Sequence, residues 1–205
     1  MTAPTVPDTA SESPQLTRII VTYLEMTDPT ELRPSRRDCP EVEIRQVEEP
    51  SPEYNRFFYR AIGGDWYWTI SLHWTYDQWR AYVTRPGFET WVAYVRGAPA
   101  GYFELVPGAD GAVDIAHFGL LPAYAGRGIG GYFLTQAVRR AWATGAARVT
   151  VNTCTLDHPH ALANYQARGF RIVRTVERWG ALPPEPPGPW AGAARPHPLS
   201  ALPKE

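Results

Sequence analysis

The chain has 205 residues, 44% hydrophobic and 13% aromatic, with a formal net charge of −1. That suits one domain with a full core and gives no global basic field to gather nucleic acid. No apolar run approaches the roughly 18 residues that cross a bilayer, and the start MTAPTVPDTASESPQ has neither the basic nor the apolar stretch of a secretory leader, so a cytoplasmic protein with no membrane partner is expected.

Residues 1–15 are rich in Pro, Ser and Thr and read as disordered, as does a Pro-dense tail over 181–205, which leaves a folded domain over 16–180. Thr17–Leu24 is β-branched and apolar and Glu41–Val47 alternates, so both are expected strands, separated by a loop that Pro29, Pro34 and Pro40 impose. Tyr54, Phe57, Phe58 and Ile62 share one face of a helix over Glu53–Gly63, and a second short helix spans Thr75–Val83 with Thr75 as its cap. Thr90–Arg96, Ala100–Val106 and Ala112–Leu121 form an antiparallel meander joined by turns at Gly97-Ala98-Pro99 and Pro107–Gly111. A helix over Tyr132–Thr144, a strand over Ala147–Asn152, a helix over Pro159–Arg168 and a strand over Phe170–Glu177 complete an α+β order.

The segment Gly126-Arg127-Gly128-Ile129-Gly130-Gly131 lies between a strand and a helix start. Glycines there let backbone approach a ligand, and the free N–H groups of a helix start suit phosphate; Arg127 adds a fixed positive charge. Gly126, Gly128 and Gly131 satisfy G-x-G-x-x-G, but the next strand ends at Val151-Asn152 without the acidic residue of a dinucleotide site, and no Lys-Ser/Thr pair follows as in a P-loop.

From about Arg45 to Glu177 the chain resembles the GNAT superfamily of N-acetyltransferases. Ala125-Gly126-Arg127-Gly128-Ile129-Gly130 occupies the family's R/Q-x-x-G-x-G/A pattern, with Ala125 where Arg or Gln is usual, and Ala161 to Phe170 (ALANYQARGF) is similar to its closing A-x-x-x-Y-x-x-x-G-F. The resemblance implies a mixed, mainly antiparallel sheet with helices on both faces and a splayed central strand pair. It also implies a donor, acetyl-CoA or another acyl-CoA, bound by Phe118, Gly119, Leu120, Gly126, Arg127, Gly128, Ile129 and Gly130, and transfer to a primary amine of a small molecule. A donor on an acyl carrier protein and a non-catalytic acyl-CoA sensor are the alternatives, and the chain is a monomer or a homodimer.

By resemblance Tyr165 is the general acid. Asp114 is the first choice of base, on a face shared with Ala116 and Phe118 by strand alternation, and Glu104 on the adjacent strand ranks beside it. Alternation puts His117 on the opposite face, packed under a helix. Asp157-His158-Pro159-His160 suits a helix cap, with a donor contact at His158 open. The two cysteines, Cys39 and Cys154, form no paired or metal-ligand pattern, so Cys154 is assigned to packing and no metal is expected. The acceptor pocket is expected among Trp66, Tyr67, Trp68, His73, Trp74 and Tyr76, with Trp66, Trp68 and Trp74 as its candidates and an ordinary core role equally open.

Overall fold

The computed structural model describes residues 16–190 together with Gly192 and Ala193. The expected disorder of residues 1–15 lies outside them. Seven strands, β1 (Leu16–Met26), β2 (Val42–Val47), β3 (Glu89–Val95), β4 (Ala98–Pro107), β5 (Ala112–Leu120), β6 (Arg148–Cys154) and β7 (Arg171–Ala181), form one sheet in the order β2-β3-β4-β5-β6-β1-β7. Every neighbouring pair is antiparallel except β5 with β6. Helices α1 (Pro52–Gly63), α2 (Tyr76–Val83), α3 (Ile129–Ala143) and α4 (Ala161–Ala167) complete the α+β fold. None of the described helices is long and apolar enough to cross a membrane.

Alternation along β3 and β4 sends neighbouring residues to opposite faces. Ala93 and Phe103 enter a core with Phe133, Leu134 and Val138 of α3 and Tyr165 of α4, while Val92 and Tyr102 pack against Phe58 and Ile62 of α1. Helices therefore cover both faces, which is why the interior of β4 is buried over Ala100–Leu105. Ser51 caps α1, its hydroxyl accepting from the Tyr54 N–H at 3.2 Å with Pro52 at the first helical position, and Thr75 caps α2 in a reciprocal pair with Gln78.

Two boundaries differ from those the sequence suggests. Helix α3 begins at Ile129 rather than Tyr132, because Gly130 and Gly131, poor residues for a helix interior, sit in its first turn where the cost is smallest. The last strand runs to Ala181, held along its length by β1. Beyond it the tail is placed as far as Trp190: Pro186, Gly188 and Pro189 are buried, and the Gly188 N–H donates to the Gly64 carbonyl at 3.0 Å. Five prolines between 182 and 190 leave little chain entropy to oppose this docking.

Candidate active site

A β-bulge decides which side chains meet. Glu104 pairs with His117, but its neighbour Leu105 pairs with Ile115, so Ala116 is an extra residue in β5. Val113 and Ile115 face α3 ahead of the bulge and Phe118 faces α3 after it, its ring 5.3 Å from Phe133. Strict alternation through Ala116 would have kept His117 on the α3 side. The bulge instead turns it to the α1 face, the side of Glu104 and of Asp114, which corrects the expectation that His117 and Asp114 oppose each other.

Glu104 has no exposed surface, yet both oxygens of its carboxylate are hydrogen-bonded. Its Oε1 accepts from Asn55 Nδ2 at 2.7 Å, and its Oε2 accepts from Tyr82 Oη at 2.7 Å and from His117 Nδ1 at 2.6 Å. Burial by itself pushes the carboxyl up; the charge of a protonated His117 and the hydrogen bonds from His117, Asn55 and Tyr82 outweigh it and hold the group below its ordinary value. A carboxylate only accepts, so Nδ1 of His117 donates to it, and in the neutral ring Nε2 is the nitrogen that can accept a proton. Tyr82, raised by burial and then by the Glu104 charge, stays a phenol and keeps donating.

His117, with 21% of its side chain exposed, lines a cavity of about 1090 Å³ that also holds Tyr165, Phe118, Gly119, Leu120, Gly126, Gly128 and Gly130. Glu104 stands behind the histidine rather than in the cavity wall. Trp68 and Tyr59 flank the imidazole at ring distances of 5.2 and 5.1 Å, and Trp66 lines the same end. Tyr165 is raised by burial and by the charges of Asp157 and Asp114, which keeps its phenol protonated and able to donate.

At the other end, β5 and β6 pair only from Ala112 to Asp114 with Arg148 to Thr150 and then separate, although β5 continues to Leu120 and β6 to Cys154. The backbone of β5 around Phe118 thus lacks a β6 partner where it borders the cavity. The glycine loop follows. Gly126 and Gly128 have φ of +76° and +78°, a region open to glycine, and Gly128 precedes the first turn of α3, whose N–H groups receive no side-chain cap. Two cations absent from the sequence reading flank that turn. Arg37 Nη1 stands 2.5 Å from where a Cβ on Gly128 would be, and Arg168 Nη1 stands at the same distance from one on Gly131. The loop carrying Arg37 is docked by the Ser35 N–H donating to Thr135 Oγ1 at 3.0 Å and the Arg33 N–H donating to the Arg168 carbonyl at 2.9 Å.

Other sequence candidates sit elsewhere. Asp114 accepts from Thr150 Oγ1 at 2.7 Å and borders a separate crevice with Tyr23 and Arg148, so it does not share the cavity with His117. Trp74 packs at 5.2 Å from both Trp79 and Tyr82 and lines no part of the cavity. Arg127 lies over the Tyr124 ring at 4.9 Å rather than in the cavity wall, and the Ile129 side chain is core, leaving its N–H as the group that can face a ligand. Asp157 caps no helix: it accepts from Thr153 Oγ1, the Cys154 N–H and Trp68 Nε1, while His160 precedes α4 without a side-chain cap. Cys154 lines the cavity as a thiol pushed up to about 11 by burial, with the Asp157 charge adding to it. Among the described residues no group of three or more His, Cys, Asp or Glu could hold a metal ion.

The Acetyltransferase (GNAT) family profile matches residues 45–170. No curated protein matches. Among solved structures the chain is similar to a GCN5-related N-acetyltransferase from Kribbella flavida, at 20% identity and a TM-score of 0.58 over 81% of this chain and 60% of that one. One from Sphaerobacter thermophilus matches at 15% identity and a TM-score of 0.58, over 77% of this chain and 49% of that one. An aminoglycoside acetyltransferase from an uncultured soil metagenomic sample matches at 14% identity and a TM-score of 0.51, over 62% and 87%. This chain spans about 60% or less of the first two, and at such identities the likeness concerns the fold alone. The family match covers more than half of the chain and includes the splayed strand, the glycine loop and the Tyr165 helix, so the chain belongs to the GNAT acetyltransferase family, whose members are generally acyltransferases.

Proposed function

We propose that the protein moves an acyl group from acyl-CoA to a primary amine of a small molecule by direct attack on the thioester, with His117 as the base. The observation that carries this reading is the buried Glu104 carboxylate on Nδ1 of His117, which leaves Nε2 as the proton acceptor in the cavity that also holds Tyr165 and the glycine loop. The amine gives its proton to Nε2, its nitrogen bonds to the carbonyl carbon, the carbon–sulfur bond breaks, and the Tyr165 phenol returns a proton to the departing thiolate. Unpartnered backbone of β5 offers donors to the tetrahedral oxyanion, and the first turn of α3, with Arg37 and Arg168 beside it, suits the pyrophosphate. Asp114 acts only at a distance, through its charge. These two arginines supply the charge that Ala125 lacks, which favours a free CoA donor over a carrier-bound one.

Calorimetric titration with acetyl-CoA and, in parallel, with an acetylated holo acyl carrier protein tests the donor. Micromolar binding of acetyl-CoA is the expected result. Binding of the carrier protein alone would transfer the donor role to it, and binding of neither would overturn the assignment of the glycine loop.

A further inference from the structure

The cavity's acceptor end is built on the turn that follows α1, where the Gly64 N–H donates to the Arg60 carbonyl. Gly64–Trp66 forms one short helical turn, and Tyr67 follows it at φ 58° and ψ 29°, a left-handed conformation unusual for a tyrosine. Such a conformation persists only where the surroundings hold it. Asp65, Trp66, Tyr67 and Trp68 all line the cavity. What lies behind this turn is the tail.

We propose that the segment 182–190 is a strap that positions the acceptor end of the cavity, holding the turn 64–68 so that Trp68 stands against His117. This rests on the acyl-transfer reading for the meaning of that end, while the physical claim concerns the chain alone. The contact is backbone on backbone. The Gly188 N–H donates to the Gly64 carbonyl at 3.0 Å, and a Cβ on Gly64 would stand 2.5 Å from the Gly188 carbonyl carbon and oxygen and 2.9 Å from the Pro189 nitrogen. Gly188 itself has a φ of +62°, where a β-branched residue is excluded. Pro186, Gly188 and Pro189 are buried, and the Glu185 charge lies near the Tyr67 phenol.

From the turn the contact continues inward. The Trp68 N–H donates to the Gly63 carbonyl at 3.0 Å, and its indole lies on Gly63, whose missing side chain makes the room. The indole Nε1 donates to Asp157 Oδ1 at 3.0 Å, and the ring stands 5.6 Å from Tyr59 and 5.2 Å from His117. The strap touches neither His117 nor any reacting atom. It acts through Trp68, as a positioning element, and it is formed from residues far along the chain from those it holds.

Amide hydrogen exchange on the full-length protein tests this without any ligand. The Gly188 and Trp68 amides are expected to be protected and to open together. Free exchange at Gly188 would overturn the strap, and so would protection of Trp68 that is independent of it. In the full-length Gly188→Val variant, exchange at Trp68 is expected to rise at least 10-fold and the His117 imidazole resonances to shift, while amides of β4 keep their protection. Unchanged Trp68 exchange and unchanged His117 resonances in that variant would overturn the proposal. If the variant also loses the protection of β4, the wild-type exchange decides the question by itself. A chain that transfers no acyl group would sink the proposed function and leave these exchange results to judge the strap.

Discussion

The two carboxylates on the α1 face of the central strands have opposite fates. Glu104 is held low by its hydrogen-bonded partners. Asp114 is held above its ordinary value, by burial first, against the Thr150 hydrogen bond and the His117 charge. A raised folded-state value means that the protonated form favours the fold, so stability is lost as pH rises from the ordinary carboxylate value through the raised one, and the cost remains at neutral pH. Asp114→Asn keeps an oxygen for Thr150 and removes that cost. It is expected to melt at the same or a higher temperature than the wild type at pH 7 and to keep kcat within about 3-fold, as thermal denaturation and thiol release would measure; a loss of roughly 100-fold in kcat would make Asp114 the base. The family resemblance together with alternation favoured Asp114 over His117 at the level of sequence. The two are three residues apart, and only the extra residue at Ala116 brings them to one face. Nothing in AVDIAHFGL announces that bulge, because a bulge is fixed by the register against β4 and not by the residues of the bulged strand.

At the scale of elements, the proposed donor end combines a feature that the sequence displays with one that it conceals. The glycine loop is legible because glycine at positive φ and a helix start are local properties. Arg37 is not: it lies 91 positions before Gly128, on a loop whose prolines say only that it is irregular, and it reaches the glycine through the docking of Ser35 on Thr135. Arg37→Ala is therefore expected to weaken acetyl-CoA binding about 3- to 10-fold, with a smaller deficit at high salt because the lost contact is exposed and electrostatic. Calorimetry at two ionic strengths would show it, and unchanged affinity at low salt would remove Arg37 from the site. The acceptor end follows the same pattern. Trp66 and Trp68 were expected in the cavity and line it, whereas Trp74, equally aromatic and nearby in sequence, turns away to pack on Trp79. Composition cannot separate the two cases, since aromatic side chains suit a core as well as a pocket.

For the molecule as a whole, the strand content and the meander β3-β4-β5 could be read from short-range pattern, and so could the Thr75 cap of α2. The position of β1 could not. It lies between β6 and β7, pairing Val21 with Cys154 and Thr22 with Thr175, so the first described strand is an inner one, next to the edge strand β7. Local pattern carries no information on pairing across more than 100 residues. Because Leu24 is only 1% exposed in the main core, Leu24→Ala is expected to cost about 2–5 kcal/mol of stability; denaturant unfolding measures it, and a loss well below 1 kcal/mol would place β1 outside the cooperative core.

The proposed chemistry depends on one nitrogen, Nε2 of His117, in the cavity that also holds Tyr165 and the glycine loop. Thiol release from acetyl-CoA with a panel of primary amines, run side by side for the wild type and His117→Gln, tests that directly. The account predicts amine-dependent release by the wild type, and in the variant a kcat lower by about 10²–10⁴-fold with acetyl-CoA affinity within about 2-fold. Equal turnover by the two proteins, or no amine-dependent release by the wild type, would contradict it.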